Sequence, residues 1–73
     1  MIFLNILKKF GKRIANLRKE LGISQEKFAL KIGIDRTYYS SIENGKHSVS
    51  LEKVDQIAKG LNVSLEELFR GIN

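Results

Sequence analysis

Helix-capping and helix-ending residues recur at short intervals along this chain and leave little room for a strand. Serines and an aspartate that can cap helices, and glycines that can end them, alternate as Gly22, Ser24, Gly33, Asp35, Gly45, Ser50 and Ser64. Glu67 lies three positions after Ser64 and completes a capping-box pattern. The chain contains no proline, and no apolar/polar alternation of strand length occurs. The sequence therefore predicts an all-α bundle of five short helices in a single domain over residues 1–73.

Apolar residues at helical spacing predict which face of each helix is buried. The predicted helices span residues 5–21, 25–32, 36–44 and 51–61, and a fifth follows Ser64. The first helix is predicted to bury Phe10, Ile14, Leu17 and Leu21. The next three are predicted to bury Phe28, Ala29 and Ile32, then Tyr39 and Ile42, then Leu51, Val54, Ile57, Ala58 and Leu61.

The composition excludes several classes of site. Without cysteine, the chain has no disulfide, thiolate metal ligand or cysteine nucleophile. A single histidine, His47, rules out a site with two imidazoles and disfavours a Ser-His-Asp apparatus. We therefore expect no metal, no cofactor and no enzymatic activity. A 73-residue domain buries only about 60% of its unfolded surface, so self-association is also expected.

Positive charge is concentrated in the first two thirds of the chain. The net charge is +5, and residues 1–46 hold ten Lys/Arg against four Asp/Glu. Clustered basic charge indicates a polyanionic partner. The apolar segment at residues 1–7 is too short for a signal peptide or a membrane span, so we expect a cytoplasmic protein.

Residues 25–44 have the layout of a helix-turn-helix, with two short helices joined at Gly33. Tyr39 and Ile42 would pack the second helix onto the domain. The opposite side then carries a stripe of small hydrogen-bonding side chains, formed by Thr37, Ser40, Ser41 and Asn44. Such a stripe lets a helix approach base edges in the DNA major groove.

The chain resembles the Cro/C1-type helix-turn-helix family, which includes phage repressors, restriction–modification controller proteins and xenobiotic-response-element-like regulators. The resemblance covers about residues 8–70 and is carried by residues 14–18, 21–25, 39–45 and 61–64 with Gly33 and Leu68. It implies a lambda-repressor-like five-helix domain that binds double-stranded DNA as a dimer. The run 35–38, Asp-Arg-Thr-Tyr, is similar to the controller-protein branch.

Four residues are predicted to contact bases. The Arg36 guanidinium can bond to guanine O6 and N7 from the start of the recognition helix, with a phosphate contact or a pairing with Asp35 as alternatives. Thr37, Ser41 and Ser40 match positions that the family uses at bases.

Five further residues are predicted to contact the DNA backbone: Gln25, Tyr38, Asn44, Lys46 and His47. For Tyr38 the alternatives are a contact with a thymine methyl group and a plain surface residue, and for His47 the alternative is an inert turn residue. The family pattern also implies a partly buried ion pair between Arg18 and Glu43.

The predicted dimer interface consists of Leu65, Phe69 and Ile72, spaced as one apolar stripe without a partner inside the domain. The rival interface is the apolar segment Ile2, Phe3, Leu4, Ile6 and Leu7.

The function predicted is a sequence-specific transcriptional regulator that binds a palindromic operator as a homodimer. Glu26, early in the second helix, is a candidate contact for RNA polymerase. One alternative is an antitoxin-type component that binds DNA and a protein partner, although the chain has almost nothing outside the core for such a partner. Another is a helical bundle that binds a membrane surface or a partner through its first ten residues.

Overall fold

The computed structural model describes the backbone of residues 2–72 and the side chains of residues 6–72. This part of the chain is helical throughout, with α1 (Ile2–Glu20), α2 (Gln25–Ile32), α3 (Arg36–Glu43), α4 (Leu51–Leu61) and α5 (Leu65–Leu68). The predicted all-α, five-helix fold is confirmed, with α2 and α4 at their predicted bounds. The first helix begins three residues earlier than predicted, and α3 ends one residue earlier because Asn44 is its C-cap.

Side-chain capping starts four of the five helices, as predicted. Ser24, Asp35, Ser50 and Ser64 each accept a hydrogen bond from the backbone N–H three residues ahead, at 3.0–3.1 Å. Gly33 ends α2 with φ +74°, a left-handed conformation that costs glycine little. Only two residues then separate this turn from the first residue of α3, so α2 and α3 are joined as a tight helix-turn-helix.

The core is formed by one face of each helix. It contains Phe10, Ile14, Leu17, Phe28, Ala29, Ile32, Ile34, Tyr39, Ile42, Val54, Ile57, Ala58, Leu61 and Leu68. The prediction that Leu21 and Leu51 are buried is wrong, because Leu21 is 46% exposed and Leu51 is 84% exposed. Leu21 lies beyond the last residue of α1, in the turn, where the helical stripe no longer applies. Leu51 is the first residue of α4 and points away from the core into an open groove.

Helix α1 lies directly against the C-terminal end of α3. A Cβ added at Gly11 would overlap the carbonyl oxygens of Ile42 and Glu43. A Cβ at Gly45, just after α3, would come within 2.7 Å of the Lys8 side chain. The two glycines therefore allow α1 to hold the end of α3 at close range.

The short helix α5 is secured to α1 by one arginine. Arg13 donates to the carbonyl oxygens of Leu68 and Glu67 at 3.1 and 2.7 Å, and to the Glu67 carboxylate at 3.0 Å. The Phe69 ring stacks on Phe10 with the centroids 5.8 Å apart. These contacts hold α5 against the middle of α1.

The apolar stripe predicted on the fifth helix differs from the structure. Because α5 ends at Leu68, Phe69 is its C-cap and Ile72 lies beyond it, so the three residues do not share one helix. Phe69 contacts Phe10, and Ile72 packs against the core. The expectation that these two have no partner inside the domain is therefore wrong, although Leu65 and Phe69 remain 47% and 41% exposed.

Candidate nucleic-acid interface

The recognition surface is the outer side of α3. Tyr39 and Ile42 are buried, so the helix presents its opposite side away from the core. Thr37 is exposed there, while Ser40 and Ser41 are half-buried beside it. The Ser41 hydroxyl donates to the Thr37 carbonyl at 3.1 Å, which leaves its oxygen able to accept a hydrogen bond. The structure thus brings these three predicted base contacts onto one face of α3.

Cationic side chains flank this face at both ends of the helix. Arg36 is exposed at the first position of α3, next to the Asp35 cap. Lys46 is exposed in the turn that follows the helix, close in sequence to Asn44 and His47, which are also exposed. This arrangement suits a polyanion that lies along α3, because both ends of the helix attract negative charge.

Gln25, predicted as a phosphate contact, has its side chain engaged within the protein. Its Nε2 donates to Glu43 Oε1 at 2.7 Å. A phosphate at this point would therefore be bound by the backbone N–H groups at the start of α2, which helix geometry leaves without intrahelical partners.

The Arg18–Glu43 ion pair predicted from the family pattern is present and nearly buried. Arg18 Nε and Nη2 donate to the two Glu43 carboxylate oxygens at 2.7 and 3.1 Å, a bidentate geometry. The side chains are 9% and 4% exposed. Arg18 Nη1 also donates to the Ile23 carbonyl at 2.8 Å. One arginine of α1 therefore joins the turn before α2 to the end of α3.

Burial and charge act in opposite directions on Glu43. Burial alone would raise its pKa, but hydrogen bonding by Arg18, Tyr39 and Gln25 and the charge of Arg18 outweigh burial, and the pKa of Glu43 is lowered. The Tyr39 hydroxyl is buried beside this carboxylate, and burial together with the interaction with Glu43 raises the pKa of this phenol. Glu43 is therefore ionised at neutral pH and holds the recognition helix in place from within the fold.

A separate apolar groove of about 370 Å³ lies between α4 and α5. It is lined by the side chains of Leu51, Val54, Leu65 and Phe69, with Glu52 and Asp55 at its rim. The sequence predicts that Leu51 is buried because its spacing matches the buried face of α4, but it lies at the surface. Its position directly after the Ser50 cap indicates exposure, since a first-turn residue lies at the edge of the helix packing.

Metal-binding clusters and membrane-spanning helices are both absent from the described part of the chain. No group of three or more His, Cys, Asp or Glu side chains there could hold a metal ion. None of the described helices combines the length and the apolar character needed to cross a membrane.

A tight pair of helices, the second with exposed hydrogen-bonding groups and a basic residue at each end, defines the class of helix-turn-helix DNA-binding domains. The Helix-turn-helix family model matches residues 14–68. The chain belongs to this family.

Two of the similar proteins are control proteins. The chain is 54% identical over 65 residues to control protein C.MunI of a Mycoplasma species, covering 88% of each chain. It is 38% identical over 65 residues to control protein C.BamHI of Bacillus amyloliquefaciens, covering 88% of this chain and 80% of that protein. It is also 43% identical over 58 residues to the antitoxin PezA of Streptococcus pneumoniae, covering 80% of this chain but 37% of that protein.

Solved structures of controller proteins share the fold. The structure is similar to the controller protein C.AhdI of Aeromonas hydrophila, with a TM-score of 0.86 and 39% identity over 90% of this chain and 96% of that one. It is also similar to the C.Esp1396I controller protein, solved as a tetramer with its natural 35-base-pair operator, with a TM-score of 0.84 and 36% identity over 92% and 88% of the chains. Crystal structures also exist of C.Esp1396I mutants at three successive positions, Arg to Ala, Thr to Ala and Tyr to Phe.

Proposed function

We propose that this protein is a sequence-specific transcriptional regulator of the controller type, which binds a two-fold symmetric DNA operator as a homodimer. The observation that carries the proposal is the outer side of α3, where small hydrogen-bonding groups are flanked by Arg36 and Lys46. The similarity to control proteins and to an operator-bound controller protein supports it. The proposed action is binding without catalysis, and a DNA partner places the protein in the cytoplasm.

Arg36, Thr37, Ser40 and Ser41 are assigned to bases. Tyr38 flanks the same surface and is assigned to a phosphate, through its hydroxyl, or to a thymine methyl group. This chain has Arg, Thr and Tyr in succession at 36–38, and the substituted positions of C.Esp1396I have the same three residue types in the same order. A guanidinium can bond to guanine through two parallel hydrogen bonds, so Arg36 is the residue with the greatest discriminating power. The hydroxyls discriminate less, because each can donate or accept.

DNA-backbone contacts are assigned around this surface. Asn44 and Lys46 are exposed at the C-terminal end of α3, where the backbone of one strand would pass, and His47 is exposed beside them. The start of α2 lies close to this same end, because Gln25 Nε2 donates to Glu43, and it offers backbone N–H groups to a phosphate.

The dimer is assigned to the groove of α4 and α5. Leu65 and Phe69, both in the predicted interface, line this groove together with Leu51. Ile72, the third residue of that prediction, packs against the core and lines a separate depression beside Lys12 and Arg13. Covering the apolar side chains of the groove with the same surface of a second copy removes them from water and gives an isologous interface. In the rival segment, Ile6 is 44% exposed, while the side chains of Ile2, Phe3 and Leu4 lie outside the described residues.

The proposal is tested by selecting bound duplexes from random DNA with the full chain. We expect an enriched site with a two-fold repeat and half-site centres about 10 bp, or a multiple of it, apart. An Arg36→Ala variant taken through the same selection should lose preference at one base pair in each half-site. Enrichment of sites without any two-fold repeat would overturn the dimeric model, and binding without enrichment would overturn sequence-specific recognition.

A contact with RNA polymerase is proposed for Glu26, which is exposed in the first turn of α2 beside Leu30 and Arg36. Glu26→Lys should retain operator binding and reduce activated transcription in a reconstituted assay. Unchanged activation by this variant would exclude the contact.

The antitoxin-type function remains as a second candidate because of the similarity to PezA, of which the chain spans little more than a third. It predicts a stable complex with a toxin-type protein, whereas the controller function requires DNA alone. The membrane-surface candidate predicts binding to anionic liposomes at a salt concentration that still permits operator binding.

A further inference from the structure

Tyr38 and His47 belong to different segments and contact each other at the edge of the recognition surface. Tyr38 is the third residue of α3 and packs, half-buried, against the core. His47 is an exposed residue of the connection between α3 and α4. Their ring centroids are 5.5 Å apart with an interplanar angle of 62°, an edge-to-face geometry that aromatic pairs favour.

The backbone near His47 is held on both sides. Before it, Gly45 turns the chain with φ +72°, and the Lys46 N–H donates to the Ser41 carbonyl at 2.9 Å. These features fold the chain back along α3 in the manner of a Schellman motif. After it, Val49 packs against the core. A short segment anchored at both ends therefore presents the imidazole to the Tyr38 ring.

We propose that His47 is a positioning residue for operator recognition and that it acts through Tyr38. The Tyr38 ring lies between the core and the imidazole, so its rotamer is restricted before DNA arrives. A side chain that is already ordered loses less conformational entropy on binding, and this raises affinity and sharpens discrimination. The role differs from a phosphate contact, in which the imidazole itself would touch the DNA. This inference rests on the proposed function.

The test compares two replacements of His47 on the operator found by selection. Removing the ring with His47→Ala should weaken operator binding roughly threefold to tenfold, the range expected for removal of an aromatic pair. It should also relax preference at the base pairs that Tyr38→Ala relaxes. His47→Phe keeps a ring and should restore affinity to within about twofold, with an unchanged salt dependence. Ser48→Ala, in the same connection, serves as the matched control.

A double-mutant cycle separates the two roles. In the Tyr38→Ala background, His47→Ala should cause no further weakening, because the residue through which it acts is already absent. Additive effects of the two substitutions would overturn the inference. A His47→Phe variant that binds as weakly as His47→Ala, with a smaller salt slope, would also overturn it and would make His47 a direct phosphate contact.

The inference and the proposed function fail in different ways. Circular dichroism should show unchanged helicity for the His47 variants, because this side chain is exposed. If the unmodified chain selects no operator, the proposed function fails. If it selects an operator that His47→Ala binds with equal affinity and preference, only the positioning role is overturned.

Discussion

Arg36 and Lys46 carry the same charge at opposite ends of α3, but they are assigned different tasks. We expect Arg36→Ala to cost about 1–3 kcal/mol of operator binding and to relax preference at one base pair per half-site. Lys46→Ala should weaken binding to all sequences alike and reduce the salt slope by about one for each phosphate that is no longer neutralised. Titrations against a panel of single-base operator variants at several salt concentrations distinguish the two. An Arg36→Ala variant whose affinity falls equally for every operator would show that Arg36 contacts a phosphate.

Glu43 makes the stability of the fold depend on pH in the acidic range. Its pKa is lowered from an ordinary value near 4.5, so its ionised form stabilises the folded state above that value. This stabilisation is lost as the pH falls through the lowered pKa. We expect the free energy of unfolding to decrease below about pH 5. Glu43→Gln should be less stable at pH 7, with a weaker pH dependence in the acidic range, measured by urea unfolding at a series of pH values. An identical acid slope in both proteins would contradict this assignment.

At the scale of elements, the geometry of the recognition helix depends on the contact between α1 and α3. Gly11→Ala places a methyl group against the Ile42 and Glu43 carbonyl oxygens, and because backbone atoms cannot rotate away, α3 must shift. We expect stability to fall by about 1–3 kcal/mol, typical of overpacking, together with weaker operator binding. The control is Asn16→Ala on the exposed side of α1, which should change stability by less than about 0.5 kcal/mol. Thermal unfolding measures the change in stability, and operator titration measures the change in binding. If Gly11→Ala matches the unmodified protein in both, α1 and α3 can accommodate the added methyl group.

Local signals in the sequence were sufficient to predict where α2 and α4 begin and end and where α3 and α5 begin, because a cap acts within four residues of itself. The hydroxyl and carboxylate caps at Ser24, Asp35 and Ser50 all form as predicted. Which apolar residue is covered depends on where the neighbouring helix ends, and no local pattern contains that information. For this reason Leu21 and Leu51 have helical spacing but are exposed.

The candidate site was predictable where it consists of one helix and not where it depends on contacts between segments. The face of α3 follows from the spacing of Tyr39 and Ile42 alone. The engagement of Gln25 by Glu43 and the contact of His47 with Tyr38 require the folded chain. The glycine in the middle of α1 was a signal of close helix packing, since glycine is unfavourable there without such a reason.

At the scale of the whole molecule, the groove of α4 and α5 is expected to determine the oligomeric state. Leu51→Lys or Leu65→Lys introduces a charge twice into the two-fold interface while leaving the core residues in place. Each buried leucine contributes roughly 1.5–3 kcal/mol, so two copies should raise the dimer dissociation constant about 100-fold or more. Leu30→Lys is the matched control, because Leu30 is an equally apolar residue, 82% exposed on α2. If the groove variants sediment as unchanged dimers, the interface lies elsewhere on the protein.

The hydrogen bonds from Arg13 to Glu67 and Leu68 have a consequence for how the protein accumulates as its expression level changes. A four-residue helix is too short to be stable alone, so α5 depends on this arginine, on the burial of Leu68 and on the stacking of Phe69 against Phe10. In the proposed dimer, a second copy that covers the groove would stabilise α5 further. In the proposed dimer, assembly and stabilisation of α5 would be linked, so we expect free subunits to be cleaved by proteases faster than dimers. We then expect the chain to be removed faster than it pairs at low expression and to accumulate above a threshold. We expect the response of the regulated promoter to rise more steeply with protein concentration than dimerisation of a rigid subunit would give.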